Sequence, residues 1–139
     1  MTLANKDNTV VIVPVYNSVE HLEKLFKEIS QYIPLSQVIV VDDGSTDQSA
    51  ALCKDTEVQL IRFKKNKGKG AALKAGFDFA IQNAYEFAFT IDSDLQHSPR
   101  SIPRFFRKQN MTMADLLIGK RDFSLKTMPF MRILSNSLT

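Results

Sequence analysis

Thr9-Val10-Val11-Ile12-Val13-Pro14-Val15 is a β-branched run interrupted only by a proline. A strand with one wet face alternates polar and apolar residues, whereas a run apolar on both faces suits an interior strand of a parallel sheet with helices on either side. Pro14 lacks an N–H, so the ladder should end close to it. Working outward, Val38 to Val41, Val58 to Phe63 and Phe87-Ala88-Phe89-Thr90-Ile91 read as further short strands. Helical patterns lie between them. Val19, Leu22, Leu25, Phe26, Ile29 and Ile33 recur at helical spacing before Pro34. A shorter helix should cover about Thr46 to Lys54. Ala71 to Ala84 should form another, with Leu73, Phe77, Ala80 and Ile81 as its core stripe. Asn17 with Glu20, and Ser45 with Gln48, have capping-box spacing. Ser98-Pro99 suits the start of a helix running to about Gln109 with Ile102, Phe105 and Phe106 inward. Leu116 to Ile118 is a strand candidate, and Met128 to Leu138 an amphipathic helix containing Arg132. Alternating strand and helix predicts an α/β layer architecture with a mostly parallel sheet.

A chain of 139 residues suits one domain. With 44% hydrophobic and 24% charged residues it is globular in composition, and a net charge of +3 is too mild to argue for nucleic acid. The single cysteine, Cys53, excludes an internal disulfide and a Cys-rich zinc site. No apolar run approaches the ~20 residues that span a bilayer. Met1 to Asn8 is polar, without a signal-peptide pattern, and reads as a flexible lead.

Three strand ends carry unusual polar groups: Tyr16-Asn17, Asp42-Asp43-Gly44-Ser45 and Asp92-Ser93-Asp94-Leu95-Gln96-His97. In parallel sheets ligands bind beyond the carboxyl ends of the strands, so these groups should meet at one rim. The loop Lys64-Lys65-Asn66-Lys67-Gly68-Lys69-Gly70 joins them there. If the chain stays extended, Asp92 and Asp94 share a face, and two close carboxylates call for a cation, donors or a proton between them. Hard oxygen ligands suit Mg²⁺ or Mn²⁺, and such an ion can hold a diphosphate. An isolated Asp-x-Asp is more often a plain polar turn. Four polar features at one edge outweigh that reading. Gly68-Lys69-Gly70 does not fit the dinucleotide fingerprint, because Leu73 stands where a third Gly or Ala is required. His97 has no second His at metal-ligand spacing.

Together these residues resemble the N-terminal half of family 2 glycosyltransferases of the GT-A fold, a Rossmann-like three-layer α/β/α architecture. The resemblance rests on Val13 to Asn17, Val40 to Asp47, Asn66 to Ala72 and Asp92 to Pro99. Asp-x-Asp-Leu-Gln-His and the later Gly119-Lys120-Arg121 and Met128-Pro129-Phe130-Met131-Arg132 are similar to the polyprenyl-phosphate, dolichyl-phosphate mannose synthase-like branch. The resemblance implies that Pro14, Tyr16 and Asn17 line the base and ribose site. It implies that Asp43, with Asp42, Gly44 and Ser45 beside it, accepts hydrogen bonds from the nucleoside. Lys69 and the Gly68 to Gly70 backbone should lie near the nucleotide. Asp92 should lie near the donor sugar and act with Asp94 in catalysis. Asp94 and Gln96 should ligate the metal. Arg121 and Arg132 should hold phosphate oxygens of donor or acceptor.

The implied reaction is inverting hexose transfer from GDP-mannose or UDP-glucose to a polyprenyl phosphate, by a cytoplasmic protein expected to be peripheral at the cytoplasmic face of the membrane, with no nucleic-acid partner. The family's domain usually continues past Thr139, and Leu134 to Thr139 reads as a helix cut short. The chain is therefore expected to hold the donor-binding half, with an open sheet edge that favours self-association. Two competing readings are a noncatalytic nucleotide-sugar-binding module and an RNA-binding domain using the lysine loop. The second lacks aromatics interleaved with its lysines.

Overall fold

The computed structural model describes residues 2–119. Arg121, Arg132 and the expected Met128–Leu138 helix lie outside the described residues. Four strands form one parallel sheet: β1 Thr9–Val15, β2 Val38–Asp42, β3 Gln59–Arg62 and β4 Phe87–Thr90, in spatial order β3-β2-β1-β4. β1 is central, pairing Val11 with Val38 on one side and with Phe89 on the other. Val10 to Val13 and Val38 to Val41 are fully buried, as runs apolar on both faces require. Each such side chain contributes roughly 1.5–3 kcal/mol of burial. The chain winds from β1 through β2 to β3 on one side, then returns to place β4 on the other. The gap between the β1 and β4 tips is thus the sheet's switch point.

Helices cover both faces. Against one lie α1 Val19–Ile29, α2 Ser49–Lys54 and α4 Ile102–Thr112, through Leu22, Leu25, Phe26, Ile29, Cys53 and Ile102. Against the other lies α3 Lys69–Gln82, through Ala72 and Ala80. This is the expected three-layer α/β/α arrangement.

Several local expectations are corrected. α1 ends at Ile29, and Ile33 reaches the core from the turn that follows. Neither capping box forms. Val19 N–H is taken by Asp47 from a neighbouring loop, and α2 starts at Ser49 rather than Thr46. Leu116 to Ile118 form no strand, and Leu116 and Ile118 are exposed. Asp92 and Asp94 follow the end of β4 in a turn, so strand alternation does not align them. The lead into β1 meets α4, where Ala4 N–H donates to Asn110 Oδ1 at 2.8 Å and Asn110 Nδ2 donates back to Ala4 O at 3.0 Å.

The largest correction concerns α3. Phe77 and Ile81 are 41% and 74% exposed, while Ala72, Gly76 and Ala80 face the sheet. A Cβ on Gly76 would lie 2.5 Å from Ile12 Cγ2. Small residues four apart let the helix axis press close to the strands, and the large residues turn outward. Gly76→Val should therefore overpack this contact and cost about 1–3 kcal/mol in urea denaturation. Undiminished stability would show that the helix sits further from the sheet.

Cys53 is buried, and burial first, then the Asp42 charge, pushes its thiol up to about 11. The folded chain therefore keeps this proton above the pH at which an unfolded thiol, near 9, loses it. The resulting stabilisation is complete below pH 9 and is lost as pH rises towards 11. Cys53→Ala should flatten that alkaline part of the stability profile, measured by denaturant titration at stepped pH.

Candidate functional site

The tip of β2 organises the rim. Asp42 is fully buried, and Arg62 Nε approaches its Oδ2 at 3.1 Å. This is a charge contact rather than an aligned hydrogen bond, since Oδ2 has no hydrogen-bond partner. Asp42 Oδ1 accepts Ser45 N–H at 3.0 Å, and Arg62 Nη2 donates to Ser45 O at 3.3 Å. Asp42 thus shapes its own loop from within and does not face the cleft. Arg62 was not singled out from sequence as its partner. The signal available was an Arg at the matching end of the adjacent strand.

Asp43 turns the other way. Its N–H donates to Val15 O at 2.8 Å, and its two carboxylate oxygens accept Lys67 N–H at 2.7 Å and Gly68 N–H at 2.8 Å. Asp43 is almost fully buried, so these charge-assisted bonds are stronger than surface ones. Gly44, at φ +76°, lies where a Cβ would come within 2.6 Å of Asn66 N and the Lys65 carbonyl carbon. A side chain there would drive the lysine loop off the β2 tip.

The β1 tip is stapled to the same loop. Asn17 adopts a left-handed φ of 49°, its N–H donates to Ser45 Oγ at 2.9 Å, and its Oδ1 accepts Thr46 N–H at 2.8 Å. Asp47 closes the staple by accepting Val19 N–H at 3.1 Å and Ser49 N–H at 2.9 Å. Burial alone would raise the Asp47 carboxyl, but the bonds from Ser49 and Val19 hold it below the usual carboxylate range. From the β4 tip, Ser93 Oγ donates to Ser18 Oγ at 2.9 Å, bridging the switch point.

These ties leave one cleft of about 340 Å³ over the switch point. Pro14, Tyr16, Asp43, Lys69, Asp92 and Asp94 all line it. Val15, Ser18, Asn66, Gly68, Ala72 and Ser93 join them. Asn17, Gly44 and Ser45 brace the loops around the cleft. Gly70 lies in the first turn of α3. Gln96 gives its N–H to Asp94 Oδ1 at 3.0 Å, in a turn where Leu95 takes a left-handed φ of 59°.

Charge is divided within the cleft. Lys69 Nζ sits 2.6 Å from Asp92 Oδ1, and His97 Nδ1 lies 3.7 Å from Asp92 Oδ2. The first turn of α3, with its unbonded N–H groups, opens beside Lys69, a combination that suits phosphate oxygens. Among the described residues no three His, Cys, Asp or Glu side chains gather as a closed metal site. Asp94, which lines the cleft, offers the hard oxygen chemistry of a Mg²⁺-type ion, which takes one or two carboxylates and completes its shell with water and substrate phosphates.

The family model described as "Glycosyl transferase family 2" matches residues 10–136. A polyprenol monophosphomannose synthase of Mycolicibacterium smegmatis is 32% identical over 126 residues, covering 86% of this chain and 47% of that one. An undecaprenyl-phosphate mannosyltransferase of Micrococcus luteus is 31% identical over 117 residues, covering 81% and 47%. The chain thus spans about half the length of these relatives. Among solved structures, a mannosyltransferase from Pyrobaculum calidifontis in complex with GDP-Man and Mn²⁺ aligns with TM-score 0.42 and 27% identity over 55% of this chain and 26% of that one, too partial a match to bear on the site. A parallel sheet with polar strand tips at its switch point, and a family match over nearly its whole length, lead to one conclusion: this chain belongs to glycosyl transferase family 2.

Proposed function

We propose that the cleft binds the nucleotide-sugar donor of a hexosyl transfer with inversion, from GDP-mannose or UDP-glucose to a polyprenyl phosphate. The observation that carries this reading is the meeting of Asp43, Asp92 and Asp94 with Lys69 and the α3 N-terminus in one cleft. Carboxylates suit the hydroxyls of a nucleoside and sugar, and the cationic side suits a diphosphate.

In this reading Tyr16, half exposed at the mouth, packs on the base, and Pro14 and Asn17 shape the wall behind it. Asp43 accepts from the nucleoside while its loop bonds fix its position. Asp92 faces the donor sugar. As the glycosidic bond breaks, negative charge grows on the leaving diphosphate oxygen and the sugar becomes oxocarbenium-like. Lys69, transferring its charge from Asp92 towards the diphosphate, offsets part of that growth. Asp94 and Gln96 would hold Mg²⁺ or Mn²⁺. Such an ion supplies Lewis-acid stabilisation of the leaving group when bound. An acceptor phosphate, with a second pKa of about 6, is already anionic at pH 7 and needs little help from a base. Arg121 and Arg132 are proposed to hold phosphate oxygens.

A second reading, donor binding without turnover, is favoured by one observation: the carboxylates of Asp43 and Asp92 are already partnered within the cleft. Radiolabelled sugar transfer to polyprenyl phosphate separates the two.

Calorimetry with GDP and UDP, each with and without Mg²⁺ or Mn²⁺, should show one nucleotide binding more tightly with metal. Asp94→Ala should remove that metal-dependent gain, about ten- to hundredfold or roughly 1.4–2.8 kcal/mol, and leave metal-free binding in place. Absence of binding by either nucleotide, or an Asp94→Ala chain that keeps the full gain, would contradict the proposal.

A further inference from the structure

Five basic residues lie between Arg62 and Lys69, and the fold divides them by task. Arg62 turns inward to Asp42, and Lys69 turns inward to Asp92. Lys64, Lys65 and Lys67 remain exposed and make no ion pair among the described residues. Lys67 Nζ lies 4.6 Å from the centre of the Phe63 ring, which leaves its charge at the surface.

This loop is held rather than loose. Lys67 and Gly68 N–H bind Asp43, and the Lys65–Asn66 backbone presses on Gly44. Asn66, in the midst of these lysines, lines the cleft itself. Three exposed lysines without an ion pair are therefore carried on a held backbone, two of them flanking Asn66 of the donor cleft.

We infer that Lys64, Lys65 and Lys67 form a docking edge for an anionic bilayer surface, seating the cleft mouth against the membrane. The inference rests on the lipid-phosphate acceptor reading: an acceptor whose phosphate lies at the headgroup level must reach this cleft from the membrane side. Charge complementarity between these lysines and an anionic headgroup surface supplies the attraction. Exposed ammonium groups on flexible stems suit a diffuse anionic surface. A single-stranded nucleic acid would want stacking faces. Phe63, the aromatic within this segment, is half-buried and covered by Lys67.

The test is sedimentation of the full 139-residue chain with vesicles of phosphatidylcholine, alone or with one-third phosphatidylglycerol, at low and high salt, flanked by binding to a single-stranded RNA oligomer. The expected result is binding to the anionic vesicles only, weakened by salt. Lys64→Gln with Lys65→Gln should lower that partitioning about 30-fold, and adding Lys67→Gln about fivefold more. Metal-dependent nucleotide binding should persist in the double variant. Equal binding to neutral vesicles, undiminished binding by the double variant, or tighter lysine-dependent binding to RNA would each overturn the docking edge. Loss of nucleotide binding in the unaltered chain strikes the proposed function instead, so the two failures are distinguishable.

Discussion

The Asp43 carboxylate takes one backbone N–H on each oxygen, from Lys67 and from Gly68. Bonds of this charge-assisted kind contribute about 1.5–3 kcal/mol each, and an unpartnered carboxylate at this depth would be strongly destabilising. The pair of bonds therefore fixes where the β3–α3 loop must run. That loop carries Asn66, Gly68 and Lys69 into the cleft and sets the direction in which α3 begins. Asp42 reinforces the same point from inside through Arg62 and Ser45. Two adjacent carboxylates thus act in opposite directions, one building the loop from beneath and the other anchoring the loop above it.

From this anchor the rest of the site follows by short ties. Asn17 and Asp47 join the β1 and β2 tips, and Ser18 with Ser93 joins β1 to β4. None of these ties is large alone. Together they bring the carboxylates of the β2 and β4 tips, Lys69 and the N-terminus of α3 to one cleft, with Lys69 paired to Asp92. The left-handed backbone of Asn17 and Leu95 falls at these tips, where surrounding structure can sustain local strain.

Much of this was legible in the chain. Unbroken β-branched runs announce a sheet covered on both faces, and polar strand ends in such a sheet point to one rim. The side-chain assignments within that frame were less legible, because they depend on partners distant in sequence. Asp42 and Asp43 are neighbours and both buried, yet only the packed structure shows which one lines the cleft. The capping boxes at Asn17 and Ser45 fit by spacing, but cross-loop bonds displaced both. Half of the α3 stripe failed for a packing reason, since Ala80 and Leu73 do pack on the sheet while Phe77 and Ile81 do not. Helical periodicity marks Phe77 and Ile81 as inward, whereas close approach to Ile12 selects Ala72, Gly76 and Ala80. Ala88 and Thr90 on the edge strand β4 are likewise exposed, on the face that α3 shares with Val10 and Ile12.

The proposed account reduces to one cleft in which Asp94 and Gln96 would hold a divalent ion against the diphosphate of a nucleotide whose nucleoside meets Asp43. Paramagnetic broadening of backbone amide signals by substoichiometric Mn²⁺, with the bound nucleoside diphosphate present, tests this directly. The account predicts broadening centred on Asp92 to Gln96 and extending across the cleft to Asp43 and Gly68–Gly70. Broadening centred on the surface carboxylates of α1, or spread evenly over the chain, would contradict it.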